Sequence, residues 1–175
     1  LVIYLGISAF FIGHFFINTT INGKDFSGKS AADVEEYLKE QVKDYELELI
    51  ELNNTTDVIK GSDISLVYKE DSSVEDTLKK QNPILWVTSL FSKSSQNVNI
   101  KVDYDENELE EKIQSIKAVT QEQTEPASAY PKFDGDSFVV EPEVYGTAVN
   151  IEVLSEKIKE HITEFNPTVD MLEEE

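Results

Sequence analysis

Apolar positions along the chain follow three patterns. Residues 1–17, LVIYLGISAFFIGHFFI, are almost uniformly apolar and contain no charged side chain. Later segments either repeat apolar residues at helical spacing or alternate them with polar residues, which is typical of a half-buried strand. Together the patterns predict an α+β fold in which two related strand-turn-strand-helix units follow an N-terminal transmembrane helix.

The apolar run at residues 1–17 has the composition of a truncated signal anchor. A spanning helix needs about 20 apolar residues, and about 17 is the lower limit. No small-x-small cleavage pattern follows the run, so a cleaved signal peptide is the weaker alternative, as is a buried core helix. Because the chain begins with Leu1 rather than Met, we expect upstream residues to complete the anchor. This interpretation predicts a single-pass protein of the cell membrane whose soluble part lies on the extracytoplasmic side.

Four capped helices and several strands are predicted after this run. Ser30 with Asp33 and Ser72 with Glu75 have the spacing of capping boxes. Asp105 and Asn150 are the expected N-caps of two further helices, and the alternating segments YELELIEL (45–52) and NVNIKVDY (97–104) are predicted strands. A further strand is expected around Val58 and Ile59. The predicted apolar helix faces are Val34, Tyr37, Leu38 and Val42; Val74 and Leu78; Leu109, Ile113 and Ile116; and Ile151, Leu154, Ile158, Ile162 and Phe165.

The later part of the chain contains a predicted linker and a predicted hairpin. Residues 117–129, KAVTQEQTEPASA, are polar and have no apolar period, which is typical of a linker. The segments AYPKF and SFVVEP flank Asp134 and Gly135, so we expect a β-hairpin with a tight turn there. Residues 168–175, TVDMLEEE, are expected to form a final strand that leaves the domain.

Two segments share one order of predicted elements. Residues 47–81 and 130–162 each give a strand, a turn, a strand, an irregular connection and a helix. We interpret them as related units that pack together, since neither alone would bury much surface. The predicted division is a transmembrane anchor at 1–17, a first α+β unit at 18–120 and a second α+β unit at 121–175.

Charge excludes one class of partner. The chain carries 35 acidic and 15 basic residues, all of the latter lysines, and its net charge is -20. Proteins that bind nucleic acid or anionic lipid through a basic patch neutralise phosphates with Lys and Arg, so this composition argues against such binding.

Catalytic and metal-binding residue types are scarce. The absence of Cys excludes disulfides, thiolate catalysis and Cys-ligated metal, and two histidines, His14 and His161, cannot form a zinc cluster. We interpret His161 as a packed or partly exposed helix residue. Residues 103–111, DYDENELEE, lack the central Gly and the spacing of an EF-hand, and an acidic helix N-terminus explains them better. We therefore expect no catalytic residue, no metal site and no cofactor in this chain.

Three aromatic residues are the candidate ligand-binding positions, because aromatic rings stack on carbohydrate faces. Trp86 lies in PILWVTSLF, whose apolar density favours core packing, while Tyr130 and Tyr145 lie near the ends of the predicted hairpin. A concave groove lined by exposed Tyr or Trp would indicate a binding module. Buried aromatics without a groove would indicate a structural spacer.

Several segments carry a resemblance to a known family. They are INGKDFSGKSAADVEEYL, YELELIEL, IKGSDISLVY, PKFDGDSFVVEPEVYGTAVNIEVLSEKI and, most specifically, KQNPILW and EPEVYGTAVN. Their order resembles the peptidoglycan-binding domain that precedes the catalytic domain in membrane-anchored L,D-transpeptidases of Gram-positive bacteria. INGKDFSGKSAADVEEYL is less specific, since VanW-type surface proteins look similar there.

The resemblance implies a role in cell-wall cross-linking. In the family, a following transpeptidase domain joins peptidoglycan stems through a Cys nucleophile with a His partner. No such residues can be carried over to this chain, so the resemblance implies a non-catalytic domain of a full-length L,D-transpeptidase. The implied partners are peptidoglycan, the downstream transpeptidase domain in cis and the membrane through residues 1–17. The alternatives are a spacer without a ligand and the same module in a VanW-type protein.

Overall fold

The computed structural model of the protein describes residues 1–51, 55–144 and 146–171. The described α-helices are α1 Val2–Phe10, α2 Ala31–Lys43, α3 Ser73–Lys79, α4 Glu106–Ser115, α5 Lys117–Thr120 and α6 Ile151–Glu164. Two 3-10 helices span Gly61–Ile64 and Pro83–Leu90. The described strands are β1 Thr19–Ile21, β2 Lys24–Asp25, β3 Glu46–Ile50, β4 Thr56–Lys60, β5 Val67–Tyr68, β6 Ser94–Gln96, β7 Val102–Asp103, β8 Tyr130–Phe133, β9 Phe138–Glu141 and β10 Thr168–Asp170.

The architecture is α+β, and the chain divides into two compact units. Unit I comprises Leu1–Tyr45 and Leu66–Asp103, and unit II comprises Glu46–Ser65 and Tyr104–Glu175. This division differs from the one predicted at residues 120 and 121. The segment 47–81 contributes its two strands to unit II and its helix to unit I, so the similar order of elements does not correspond to a compact unit.

Unit I is built on a sheet of order β2-β1-β6, in which β1 runs antiparallel to β2 and parallel to β6. Helix α2 supplies the opposite side of the core through Val34 and Leu38, which are fully buried. This is the apolar face that the helical spacing predicts. The core residues packed together are Phe15, Ile21, Phe26, Val34, Leu38, Val74, Leu78 and Val98.

Unit II is built on a sheet of order β10-β3-β4, in which β3 lies in the middle. The predicted alternation along β3 is confirmed, because Leu47 and Leu49 are buried while Glu46 and Glu48 are exposed. Strand β10 pairs in parallel with β3, so the predicted final strand belongs to this sheet rather than leaving the domain. The buried side chains of α4 and α6 are Leu109, Ile113, Leu154, Ile158 and Ile162.

The predicted N-terminal transmembrane helix is wrong. Within the residues that the structure describes, no helix combines the length and the apolar character needed to cross a bilayer. Helix α1 has 9 residues and is about 14 Å long, whereas a hydrocarbon core is about 30 Å thick.

Non-helical backbone after Phe10 explains why the apolar run does not continue as one helix. The N–H of Phe15 donates to Lys29 O at 2.8 Å, and the Gln81 side-chain amide donates to Phe11 O and His14 O at 2.8 and 2.6 Å. Phe11 and Phe15 are then buried in unit I. The last residues of the apolar run therefore pack in the core of unit I. Apolar composition alone does not distinguish such core residues from a membrane-spanning helix.

The capping box predicted at the start of α2 is confirmed. The Ser30 hydroxyl accepts the Asp33 N–H at 3.2 Å, and the Asp33 carboxylate accepts the Ser30 N–H at 2.8 Å. The Ser30 hydroxyl and N–H together lower the pKa of Asp33 from its ordinary value. Asp105 and Asn150 also cap α4 and α6 as predicted, each accepting two backbone N–H groups.

The capping box predicted from Ser72 and Glu75 is wrong. Ser72 is the N-cap residue of α3, but its hydroxyl donates to the Asp76 carboxylate at 2.8 Å. The Asp71 carboxylate instead accepts the Ser73 N–H at 2.9 Å. Asp71 therefore accepts a backbone N–H at the start of α3, in place of the Ser72 hydroxyl that the capping-box spacing predicts.

Two segments differ from their predicted conformations. The alternating residues 97–104 give a strand only at Val102–Asp103. The predicted linker contains helix α5, whose Ala118 is 2% exposed, and an isolated β-bridge between Ala127 and Val144. Polar side chains in this segment bond to neighbouring backbone, so lack of an apolar period does not make it a free linker.

Candidate functional site

Unit II contains a cavity of about 920 Å³. Its wall is formed by the chain around β3 and α5, the extended segment between β9 and α6, the first turns of α6, and β10. Eleven of the nineteen described lining residues are apolar or small, and the other eight are polar or charged. Its apolar residues include Ala118, Pro126, Val144, Val153, Leu154 and Val169.

One wall of the cavity is formed by residues 143–144 and 146–150, which are held against residues 122–128. Ala127 and Val144 exchange both backbone hydrogen bonds, at 3.0 and 2.8 Å. The Thr147 N–H donates to Thr124 O at 2.7 Å. These bonds fix an extended segment that has little regular structure, so the wall exists before a ligand arrives.

Gly146 allows this close approach. A Cβ at Gly146 would lie 2.6 Å from Pro126 Cδ and 2.8 Å from Thr124 O. Every residue except Gly would carry that atom, so the two segments could not pack in this way with another residue at position 146.

Glu51 places a buried carboxylate in the opposite part of the wall. Its residue is 5% exposed, and its two oxygens accept the Thr55 hydroxyl at 2.9 Å and the Ala118 N–H at 3.1 Å. Among the described residues, Glu51 takes part in no ion pair. These two hydrogen bonds hold the Glu51 carboxyl group in one orientation in the wall, where water would screen an ionic interaction only weakly.

Further charged groups of the wall are Glu143 and Lys157. Lys157 extends from α6, and its ammonium lies 3.9 Å from the Glu160 carboxylate. Within the described residues, no group of His, Cys, Asp and Glu has the arrangement of a metal site. The cavity thus has the chemistry of a binding site for a ligand with apolar, polar and cationic parts.

Trp86, the first predicted ligand-binding residue, packs within unit I. Its ring lies 6.1 Å from the Phe11 ring and 5.9 Å from the Tyr4 ring, measured between centroids. The Tyr4 hydroxyl also donates to Ile84 O. Trp86 therefore joins its 3-10 helix to α1, and its role in binding stays a prediction. The core packing predicted from its apolar surroundings is wrong for most of the stretch, because Trp86 is half-buried and Ile84, Leu85 and Phe91 are exposed.

Tyr130, the second predicted residue, is 50% exposed on the β8–β9 hairpin of unit II. The hairpin is confirmed, with Phe133 opposite Phe138 and Tyr130 opposite Glu141. Tyr130 shares its face with the ion pair of Lys132 and Glu141, whose atoms are 3.2 Å apart. Its role in ligand binding stays a prediction.

The other face of the hairpin is apolar and exposed. It consists of Pro131, Phe133, Phe138 and Val140, and Phe138 is 76% exposed. In the turn, the Asp134 carboxylate accepts the N–H groups of Ser137 and Asp136, and these bonds lower the pKa of Asp134. The turn geometry is thus fixed locally, while the aromatic face meets solvent.

Tyr145, the third predicted residue, lies outside the described residues. In sequence it stands between Val144 and Gly146, both of which line the cavity. Sequence reasoning did not single out Glu51 or Lys157, because each lies in a chain segment with many other charges. The available signal was the segment EPEVYGTAVN, whose lack of helical or strand period separates it from its neighbours.

Comparison with known proteins identifies the family of this chain. One family model, described as "Putative peptidoglycan binding domain", matches residues 58–170, more than half of the chain. The match runs from within β4 to the end of β10 and includes the segment that forms one wall of the cavity. No curated protein and no solved structure matches the chain. The family match shows that the chain belongs to this family of peptidoglycan-binding domains.

Proposed function

We propose that the protein is a non-catalytic domain that binds peptidoglycan on the extracytoplasmic side of the cell and positions an L,D-transpeptidase there. Family membership carries the binding part of this proposal. The cavity of unit II supports it, because a preformed cavity that combines apolar walls with polar groups is the usual form of a ligand site.

The link to an L,D-transpeptidase is supported by the segments KQNPILW and EPEVYGTAVN, which resemble the domain that precedes that enzyme. The chain itself has no Cys and so lacks the nucleophile of this reaction. In this proposal the catalytic domain is a partner in cis, and the present domain holds it near its polymeric substrate, which raises the effective substrate concentration.

The experiment is a sedimentation assay of the full chain with purified peptidoglycan sacculi from which teichoic acid has been removed. Binding is measured at low and at moderate salt, because a chain of net charge -20 also takes part in non-specific ionic contacts. The expected result is retention at both salt concentrations. Cellulose particles serve as the control polymer.

The outcomes separate the proposal from its alternative. Retention on sacculi and not on cellulose supports a binding module. Lack of retention at both salt concentrations overturns the proposal and favours a spacer without a ligand.

Tyr130→Ala and Tyr145→Ala test the predicted aromatic positions, with circular dichroism as the check on folding. Trp86→Ala is expected to destabilise unit I, since its ring packs on Phe11 and Tyr4.

A further inference from the structure

We propose that the cavity of unit II binds the stem peptide of peptidoglycan, with a free primary amine of the peptide at Glu51. This inference rests on the proposed function and names the part of the polymer that the domain recognises. The alternative part is the glycan strand. Three properties of the cavity wall distinguish these ligands.

The first property is the aliphatic character of the wall. Its described residues include Val144, Val153, Leu154 and Val169. Small aliphatic side chains complement the methyl groups of alanine residues, which stem peptides contain, because both lose water on contact.

The second property is the charge of the wall. Glu51 is buried, keeps both oxygens in hydrogen bonds to Thr55 and Ala118, and has no ion pair among the described residues. A stem peptide with a diamino acid supplies an ammonium group, whereas N-acetylated glycan supplies none. An ammonium at this carboxylate would form a charge-assisted hydrogen bond in a place where water screens it weakly.

The third property is the fixed extended backbone at residues 143–144 and 146–150. Its hydrogen bonds to residues 122–128 hold it open before binding, including the Thr147 N–H bond to Thr124 O at 2.7 Å. A peptide bound beside a rigid extended segment loses less conformational entropy than one that must order a loop. The wall therefore suits a short extended peptide.

The amine has a chemical consequence for the state of the peptidoglycan. Cross-linking converts the side-chain amine of an acceptor stem into an amide and removes its positive charge. A site that requires the amine would therefore select stems that have not yet served as acceptors. Such stems are the ones that a cross-linking enzyme still needs.

The experiment compares three soluble probes by isothermal titration calorimetry with the full chain. They are a stem tetrapeptide with a free side-chain amine, the same peptide acetylated on that amine, and a peptide-free glycan oligosaccharide. We expect binding of the free peptide, binding that is about tenfold to a hundredfold weaker after acetylation, and no detectable binding of the glycan.

A matched pair of variants tests Glu51 itself. Glu51→Gln removes the charge in the cavity, and Glu48→Gln makes the same change at an exposed position of the same strand. The first is expected to weaken binding of the free peptide about tenfold or more, and the second to leave it within about twofold. Chemical unfolding of both variants verifies that they are folded. If Glu51→Gln does not fold, the comparison of the three probes with the unchanged chain still tests the inference.

The failures are distinguishable. If sacculi retain the chain but the glycan binds as well as or better than the peptide, the stem-peptide inference is overturned while the proposed function stands. Equal affinity for the free and acetylated peptides overturns the role of the amine. A chain that binds neither sacculi nor any probe contradicts both the inference and the proposed function.

Discussion

At the scale of single residues, the cavity wall depends on a missing side chain at Gly146. The backbone there runs against Pro126 and Thr124, and a Cβ would lie 2.7 Å from Pro126 N and 2.8 Å from Thr124 O. Backbone atoms cannot rotate away as the end of a flexible side chain can. The position is therefore fixed by packing, although nothing in the adjacent sequence requires Gly there.

We predict that Gly146→Ala lowers the free energy of unfolding by about 1–3 kcal/mol, because the added methyl group overpacks the two segments. Gly13→Ala is the control, since a Cβ at Gly13 meets nothing within 4 Å. Urea denaturation followed by circular dichroism measures both. Equal stability of the two variants would contradict the tight packing of this wall.

Asp71 provides a second residue-scale prediction, on pH dependence. The Lys101 ammonium, 2.8 Å away, and the Ser73 N–H lower its pKa from 3.8 to about 2. Because the folded-state pKa is below the unfolded value, the stabilisation is present above about pH 4 and is lost as the pH falls towards about 2. Asp71→Asn should therefore cost about 1–2 kcal/mol at pH 7 and little at pH 2.

The control for this change is Asp136→Asn on the exposed hairpin turn, which should alter stability by less than about 0.5 kcal/mol at either pH. Denaturation curves at pH 7, 4 and 2 give the comparison. A penalty for Asp71→Asn that stays constant from pH 7 to pH 2 would show that the ion pair with Lys101 does not contribute in this way.

At the scale of elements, helix ends show how local chemistry and neighbouring residues compete. Helix α2 begins with a complete capping box at Ser30 and Asp33. Helix α3 begins at Ser72 without a side-chain cap to its own backbone, and Asp71 takes the N–H of Ser73. Serine is the N-cap residue of both helices, but its hydroxyl accepts a backbone N–H only in α2. In α3 the preceding Asp71 accepts a backbone N–H instead.

We predict that Ser30→Ala destabilises the protein by about 1 kcal/mol, since it removes the acceptor for the Asp33 N–H. Ser72→Ala is the matched control and should cost clearly less, because its hydroxyl bonds an exposed carboxylate at the surface. Thermal unfolding of the two variants under one condition is the measurement. A larger loss for Ser72→Ala would reverse this assignment of the caps.

At the scale of the whole molecule, the net charge of -20 opposes the compact state through self-repulsion. We predict that raising NaCl from 20 to 500 mM increases the melting temperature by about 2–8 °C, because salt screens this repulsion. The same titration near pH 4.3, the sequence pI, should show a much weaker dependence. A melting temperature that falls with salt at pH 7 would mean that attractive ion pairs outweigh the repulsion.

Sequence periods predicted the longest elements well and the shortest ones poorly. The face of α2, the alternation of β3 and the β8–β9 hairpin all follow from spacing and turn residues. The predicted face of α6 is confirmed at Leu154, Ile158 and Ile162, whereas Ile151 is exposed and Phe165 is the C-cap residue. Strands of two or three residues, such as β7, leave too short a period to recognise. Their positions come from pairing with distant strands, which no local pattern records.

The sequence by itself determined the helix faces, most of the caps, the hairpin turn and the strong negative charge, because each depends on neighbours within a few residues. Tertiary structure alone decided that residues 1–17 end as core packing rather than a spanning helix, since Gln81 and Lys29 bond their non-helical backbone. It also decided the cavity, where Glu51 comes together with residues about 70 to 120 positions later in the chain. Contacts of that separation arise from packing and are invisible to any local spacing rule.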